Sequence, residues 1–472
     1  MTTLPRLPAM TSRLAFSSTP ATPATPSTTT RRYAVARRLP ARRYAVAAGA
    51  VTAYLVLGAC GATPTAPAGP TSPAATASAT VATTNPKPTQ KIAAEPALHG
   101  YRFPAGMVDG RAGGGQLFSP IEGVLAVPST PGPHPVVVIV HGSYPGCIDA
   151  PKDTLLPAVS TTPWPEVCGT DRRANEDGLT TGPDYVHATA SMAYIARELA
   201  ARGVATVAID VHTKEESWGG EADPVAVQNA LVTLHLSLLT RMNAGETFGL
   251  PWAADLKGQL DLTRLGLVGH SSGAGYAVHA NTRGTFPSLK AVVALQPAIN
   301  TPLTWKQANL APTLVLSGQC DEQVGGDGSL SVGKELAAKQ PNAVVLTASV
   351  ARASHIGLVA GGGSDTIGLV QPMTTGACAS KIAPAVAQSA VAQVTADFLQ
   401  TAMAGGTAYR IGVGSAAPVT LAALTPSATV TPAPVTTLPV TVDPKSIRFD
   451  SSTSVVAPAK PAAVVLGEGP HV

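Results

Sequence analysis

Charge is scarce in this chain. Asp, Glu, Lys and Arg make up 13% of its 472 residues, and aromatic residues only 4%. So thinly charged a surface has no basic field with which to collect phosphates or anionic lipid, which sets nucleic acid aside as a partner. The formal net charge of +4 does not restore one. Residues 1–59 hold eight arginines and no acidic residue; without them 24 basic residues face 28 acidic ones, a net of −4. Metal-binding spacing is missing as well. The histidines are scattered without a His-x-x-x-His pair, and no Cys-x-x-Cys occurs among the five cysteines, so neither a metal nor another cofactor is expected. No repeat of solenoid length is visible.

Near the N-terminus, the 13-residue apolar run Ala45 to Leu57 is short for a membrane span and suits the core of a signal peptide behind its arginines. It ends in Leu57-Gly58-Ala59-Cys60, which resembles the lipobox of bacterial lipoproteins. The resemblance implies an exported cell-envelope protein anchored to a membrane by acylated Cys60; an ordinary cleaved signal with an incidental cysteine implies a secreted one. Arg42-Arg43-Tyr44 is a candidate twin-arginine signal, but residues 31–36 repeat the same string as residues 42–47, so the pair does not choose between export routes. With Cys60 spent, Cys147, Cys168, Cys320 and Cys378 remain, an even number that in an exported chain predicts two disulfides. Three pairings are possible. Cys147 with Cys168 and Cys320 with Cys378 are favoured, because each pair closes a loop at one point of the expected fold.

The 43 prolines cluster towards the two ends. A signal peptide (1–59) and a Thr/Pro/Ala-rich linker (60–95) precede one folded domain (96–410), and a Pro/Thr/Val-rich tail (411–472) follows. Within that tail Val440 to Val442 and Ser446 to Phe449 have strand composition, but disorder is expected. The domain alternates short β-branched runs with helical stretches, the signature of an α/β fold with a mostly parallel sheet flanked by helices. Val136 to Val140 reads as a strand buried on both faces. Ala188 to Ala201 reads as a helix stopping at Gly203, and Val204 to Ile209 as the next strand. Asp223-Pro224 supplies an N-cap and a first-turn proline for a helix to about Met242. Strands are expected at 265–268, 291–295, 313–316 and 343–347, and helices from 272, near 331–339 and at 381–403.

Gly269-His270-Ser271-Ser272-Gly273 is a Gly-x-Ser-x-Gly, weak evidence in so Gly- and Ser-rich a chain. Its context strengthens it. A strand turns abruptly into a helix there, the sharp turn that lifts a hydroxyl clear of a sheet, and flanking glycines relieve the crowding. The helix start places the Ser272 amide where an oxyanion can use it. A serine needs a base, and the base a carboxylate. Beyond Asn281 the only histidines are His355, just past a strand, and His471, in the tail. Asp321, just after the strand at 313–316, is the preferred carboxylate, with Asp327 in reserve. Trp164, Trp218, Trp252 and Trp305 fall in expected loops, as pocket linings or as packing anchors.

Ser271, Asp321 and His355 follow the chain order nucleophile, acid, base of the α/β-hydrolase superfamily, which residues 115–405 resemble. His141-Gly142-Ser143-Tyr144 matches the superfamily's turn that lends a second oxyanion amide, which the resemblance places at Ser143 or Tyr144. Within the superfamily the chain is similar to the esterases of the dienelactone-hydrolase, cutinase and polyester-hydrolase neighbourhood. It departs from them in having serine where dienelactone hydrolases use cysteine, in its longer loop from Ser143 to Asp184, and in its appended C-terminal segment. The implied activity is hydrolysis of a small-molecule or polymeric carboxylic ester. A peptidase or polyester depolymerase on the same fold, or a non-catalytic surface binding module, are the alternatives. On this reading a Cys320–Cys378 bond would tie the acid loop to the segment after the base.

Overall fold

The computed structural model describes residues 95–143, 188–213, 222–361, 376–435 and 441–452. Tyr144, Cys147, Cys168, Trp164, Trp218, Cys60 and His471 therefore lie outside the described residues, as do the expected signal peptide and the expected linker up to residue 94.

Strands β1 (Ala97–Asp109) and β2 (Gln116–Val127) pair antiparallel, and β2 pairs antiparallel with β4 (Ala205–Ile209). From β4 onward neighbours run parallel: β3 (His134–Val140), β5 (Leu260–His270), β6 (Leu289–Leu295), β7 (Thr313–Cys320) and β8 (Val345–Ser354). With β10 (Val419–Ala423) and β12 (Phe449–Ser451) at its edges, the order across the sheet is β10-β8-β7-β6-β5-β3-β4-β2-β1-β12. Parallel neighbours need crossovers, and helices supply them on both faces. Helices α1 (Ala188–Ser191), α2 (Ala193–Ala201) and α6 (Pro384–Met403) cover one face; α3 (Pro224–Asn243), α4 (Ser272–Arg283) and α5 (Gly326–Lys339) cover the other.

This layering explains the unbroken apolar run of β3. Val137 and Ile139 pack with α2 and α6, while Val136, Val138 and Val140 pack with α3 and α4. Asp223 caps α3 as expected, its Oδ1 accepting from the amides of Val225 and Ala226 at 3.0 and 3.1 Å, with Pro224 in the first turn.

Several expected boundaries need correcting. The strand expected at 343–347 begins at Val345 and runs on to Ser354, because its far half is held by ladders to β7 and β10 rather than by a hydrophobic run. The tail expected from residue 411 carries structure: β9 (Ala408–Val413) packs on α6, β10 (Val419–Ala423) joins β8 antiparallel, β11 (Thr429–Pro434) pairs with β9, and β12 (Phe449–Ser451) joins β1 in parallel. Its strands are short and half-exposed, so they carry little hydrophobic pattern; an existing sheet edge supplies the partner. The expectation of disorder does not hold there, and the candidate strand Ser446 to Phe449 shifts to 449–451.

Candidate active site

Because β3 to β8 are parallel, the residues following each strand gather at one sheet edge: Ser143, Asp210, Ser271, Gln296, Asp321 and His355. Ser271 follows β5 directly, with φ 56° and ψ −122°, a conformation that costs a non-glycine residue about 1–3 kcal/mol and persists only when its surroundings enforce it. They do so here. Its N–H donates to Leu295 O at 2.9 Å, and its carbonyl accepts from the amides of Gly275 and Ala298, both at 3.0 Å. A Cβ on Gly269 would strike the Gly273 carbonyl, and one on Gly273 the Val140 carbonyl, so this turn admits no side chain at either glycine.

The register between β7 and β8 shifts between Gly318 and Cys320, pairing Cys320 with Ser354. Asp321 and His355 come next on their strands. His355 Nδ1–H donates to Asp321 Oδ1 at 3.0 Å, and the two side chains are 1% and 0% exposed. The same oxygen accepts from the amides of Gln323 and Val324 at 3.0 and 2.9 Å. Burial pushes the Asp321 carboxyl up, but the hydrogen bond and charge of His355, with those two amides, outweigh it and hold the group below its ordinary value. With Nδ1 committed to the carboxylate, Nε2 carries the lone pair, and it is buried with no hydrogen-bond partner among the described residues. Asp327 sits in the first turn of α5, where a carboxylate suits the helix terminus, and among the described residues the hydrogen bonds that His355 donates go to Asp321 and Glu322 instead.

Glu322, His270 and Gln296 support this pair, and the sequence assigned none of them a role. Glu322 Oε2 accepts the His355 backbone N–H at 3.3 Å and lies 4.0 Å from Lys381 Nζ. His270, beside Ser271, packs its ring at a tilt of 44° against that of His355, with centroids 4.7 Å apart. Burial, with the neighbouring His355, pushes His270 down to about 3, so it is neutral at ordinary pH. Its Nε2–H donates to Gln296 Oε1 at 3.0 Å, and Gln296 Nε2 donates to Ser354 O at 3.1 Å. Cys320 and Cys378 form the expected disulfide, with Cα atoms 5.5 Å apart, tying the residue before Asp321 to the segment ahead of α6.

At the end of β3, His141 donates from Nδ1 to Gly142 O at 2.7 Å and accepts at Nε2 from Val211 N–H at 2.9 Å. This locks the Gly142-Ser143 turn onto β4. Ser143 Oγ meets Ser272 Oγ at 2.8 Å, so the two expected oxyanion turns touch. Among the described residues His141, Asp210 and His212 are the one group of ligand-type side chains within mutual reach of an ion. Their hydrogen bonds give the cluster another use. Both nitrogens of His141 are spent, and His212 Nδ1–H donates to Asp210 Oδ2 at 2.8 Å. Trp252 is a packing anchor, stacked 4.7 Å from His99 and donating to Asp450 Oδ2 at 3.1 Å, while Trp305 packs beside α4 and α5.

A mostly parallel sheet covered on both faces, a strained serine between strand and helix, and an Asp–His pair after later strands are the arrangement of the α/β-hydrolase fold. Within it, residues 168–332 match the PETase family, described as PET hydrolase-like. That span is less than half of the chain; it includes Ser271 and Asp321 and ends before His355. No curated protein matches the chain.

Proposed function

We propose that this protein is a serine hydrolase cleaving carboxylic esters through an acyl-enzyme intermediate. Ser271 attacks the ester carbonyl as His355 Nε2 takes its proton. The same proton then passes to the leaving alcohol, and water deacylates Ser271 by the reverse use of His355. Asp321 fixes the imidazole tautomer and stabilises its positive charge. The amides of Ser272 and Ser143 receive the oxyanion, with Tyr144 as the other candidate donor. The observation that carries this reading is the buried Asp321–His355 hydrogen bond, which uses Nδ1 and leaves the Nε2 lone pair, unpartnered among the described residues, at the same sheet edge as the strained Ser271.

The PET hydrolase-like match favours a polymeric ester as the substrate over an amide or a purely small-molecule ester. Release of soluble acids from a polyester film, compared with turnover of aminoacyl amides, separates these readings. Delivery to the cell envelope with an acyl anchor at Cys60 completes the proposal; Cys60→Ser is expected to move the protein from the detergent to the aqueous phase on partition.

The central test is Ser271→Ala. It is expected to lower hydrolysis of short p-nitrophenyl esters by about 10⁴-fold or more, and to abolish labelling by a fluorophosphonate, with the melting temperature retained. Unchanged turnover or labelling would leave a non-catalytic binding module as the better account.

A further inference from the structure

We infer that the hydroxyls of Ser143 and Ser272 act as one unit that gives the oxyanion a third hydrogen bond, beside the two backbone amides. This rests on the esterase reading and deepens it. The two serines are 129 residues apart in sequence, one ending the turn after β3 and the other opening α4, and their Oγ atoms lie 2.8 Å apart. Two hydroxyls carry two protons, and their mutual bond uses one. Neither hydroxyl makes another hydrogen bond among the described residues, and α4 has no side-chain cap that would occupy Ser272. Among the described residues, one proton is therefore left without a protein acceptor.

Its position gives it a use. Each Oγ is three bonds from its own backbone nitrogen, and those two nitrogens are the ones assigned to the oxyanion. A hydroxyl pair bridging them sits on the rim of the pocket they define. Both side chains are only partly buried, so a ligand can reach the proton. The pair is also adaptable, since either hydroxyl can donate to the other and leave its partner's proton for the substrate oxygen. When the carbonyl becomes an oxyanion, that hydrogen bond gains charge assistance, so it strengthens in the transition state more than in the bound ester.

The competing explanation is a staple that merely joins the β3 turn to α4. A staple would contribute to stability and to substrate fit; a donor contributes to kcat. The test is Ser143→Ala, Ser272→Ala and the double variant, assayed on p-nitrophenyl butyrate and with phenylboronic acid as an analogue of the tetrahedral state. The double variant is expected to lose about 10- to 100-fold in kcat with KM nearly unchanged. Inhibition by the boronic acid should weaken in parallel, and the double variant should be no worse than the more affected single variant. A kcat for the double variant within about threefold of the unaltered protein, or a raised KM at constant kcat, overturns the inference. If the double variant does not fold, Ser143→Ala against Ser143→Thr carries the contrast: activity lost in the first and kept in the second supports the donor, and equal kcat in both overturns it. Failure of the unaltered protein to react with fluorophosphonate would overturn the esterase reading and this inference together. Normal labelling with unaffected variants would overturn this inference alone.

Discussion

At the scale of single residues, Gln296 does more than any feature of its sequence announces. It stands directly after β6 with φ 49°, and its side chain joins His270, beside the nucleophile, to the backbone of Ser354, beside the base. Gln296→Leu would remove the hydrogen bonds to the His270 ring and to the Ser354 carbonyl, at about 0.5–1.5 kcal/mol each. We expect it to lower both the melting temperature and kcat, with KM little changed; an active, fully stable variant would show that the bridge is dispensable. Ser271, Asp321 and His355 were legible because each sits in a local pattern and in a fixed chain order. Gln296, Glu322 and Asp210 were not, because their importance lies in tertiary partners that no local pattern specifies.

The buried histidines also set a pH dependence. Burial pushes His270 down to about 3, and His235, buried against Tyr101, likewise to about 3. The unfolded chain therefore binds protons at these sites from the ordinary value of 6.5 downward, while the folded chain does not. Their neutral burial costs nothing above 6.5, and stability is lost progressively as pH falls from 6.5 towards about 3. The depressed Asp321 adds a further loss below the ordinary carboxylate range, as pH falls through its folded value. The denaturant midpoint should fall steadily from neutral pH into this window, and His235→Gln should flatten the dependence. A midpoint independent of pH there would contradict the neutral, buried state of both rings.

At the scale of elements, the acid and the base are held by the ends of two paired strands and by one covalent tie. The Cys320–Cys378 bond closes a loop of 58 residues that contains both Asp321 and His355. Chain-entropy arguments give such a cross-link up to about 4 kcal/mol. Cys378→Ser is expected to lower the melting temperature clearly and to reduce kcat, since the residue before Asp321 is then anchored only by its strand. Thermal melts with and without reductant measure the first effect, and unchanged melts would show that strand pairing alone suffices. The central strands and most helices were legible from hydrophobic period and caps. β1, β2 and the far half of β8 were not, since Gly, Pro and polar residues interrupt their pattern and only pairing with neighbours fixes them.

At the scale of the whole molecule, the segment after residue 407 closes the sheet at both sides, with β10 against β8 and β12 against β1. A chain ending at Gly414 would keep the serine, acid and base but expose two long strand edges. We expect it to elute as aggregates in size exclusion while the full chain does not; a well-behaved truncated protein would show that these strands are ornament.

The junction of β1 with β12 has a consequence in time as well as in space. Gly100 lies opposite Phe449, so β1, the first strand among the described residues, is completed by β12, the last of them. A chain emerging from the ribosome can zip β1 to β2 at once, yet its outer border stays raw until residues 449–451 exist. Premature termination or a nick in this segment would thus yield an adhesive fragment, and quality control would meet it as misfolded material rather than as a slightly weakened protein.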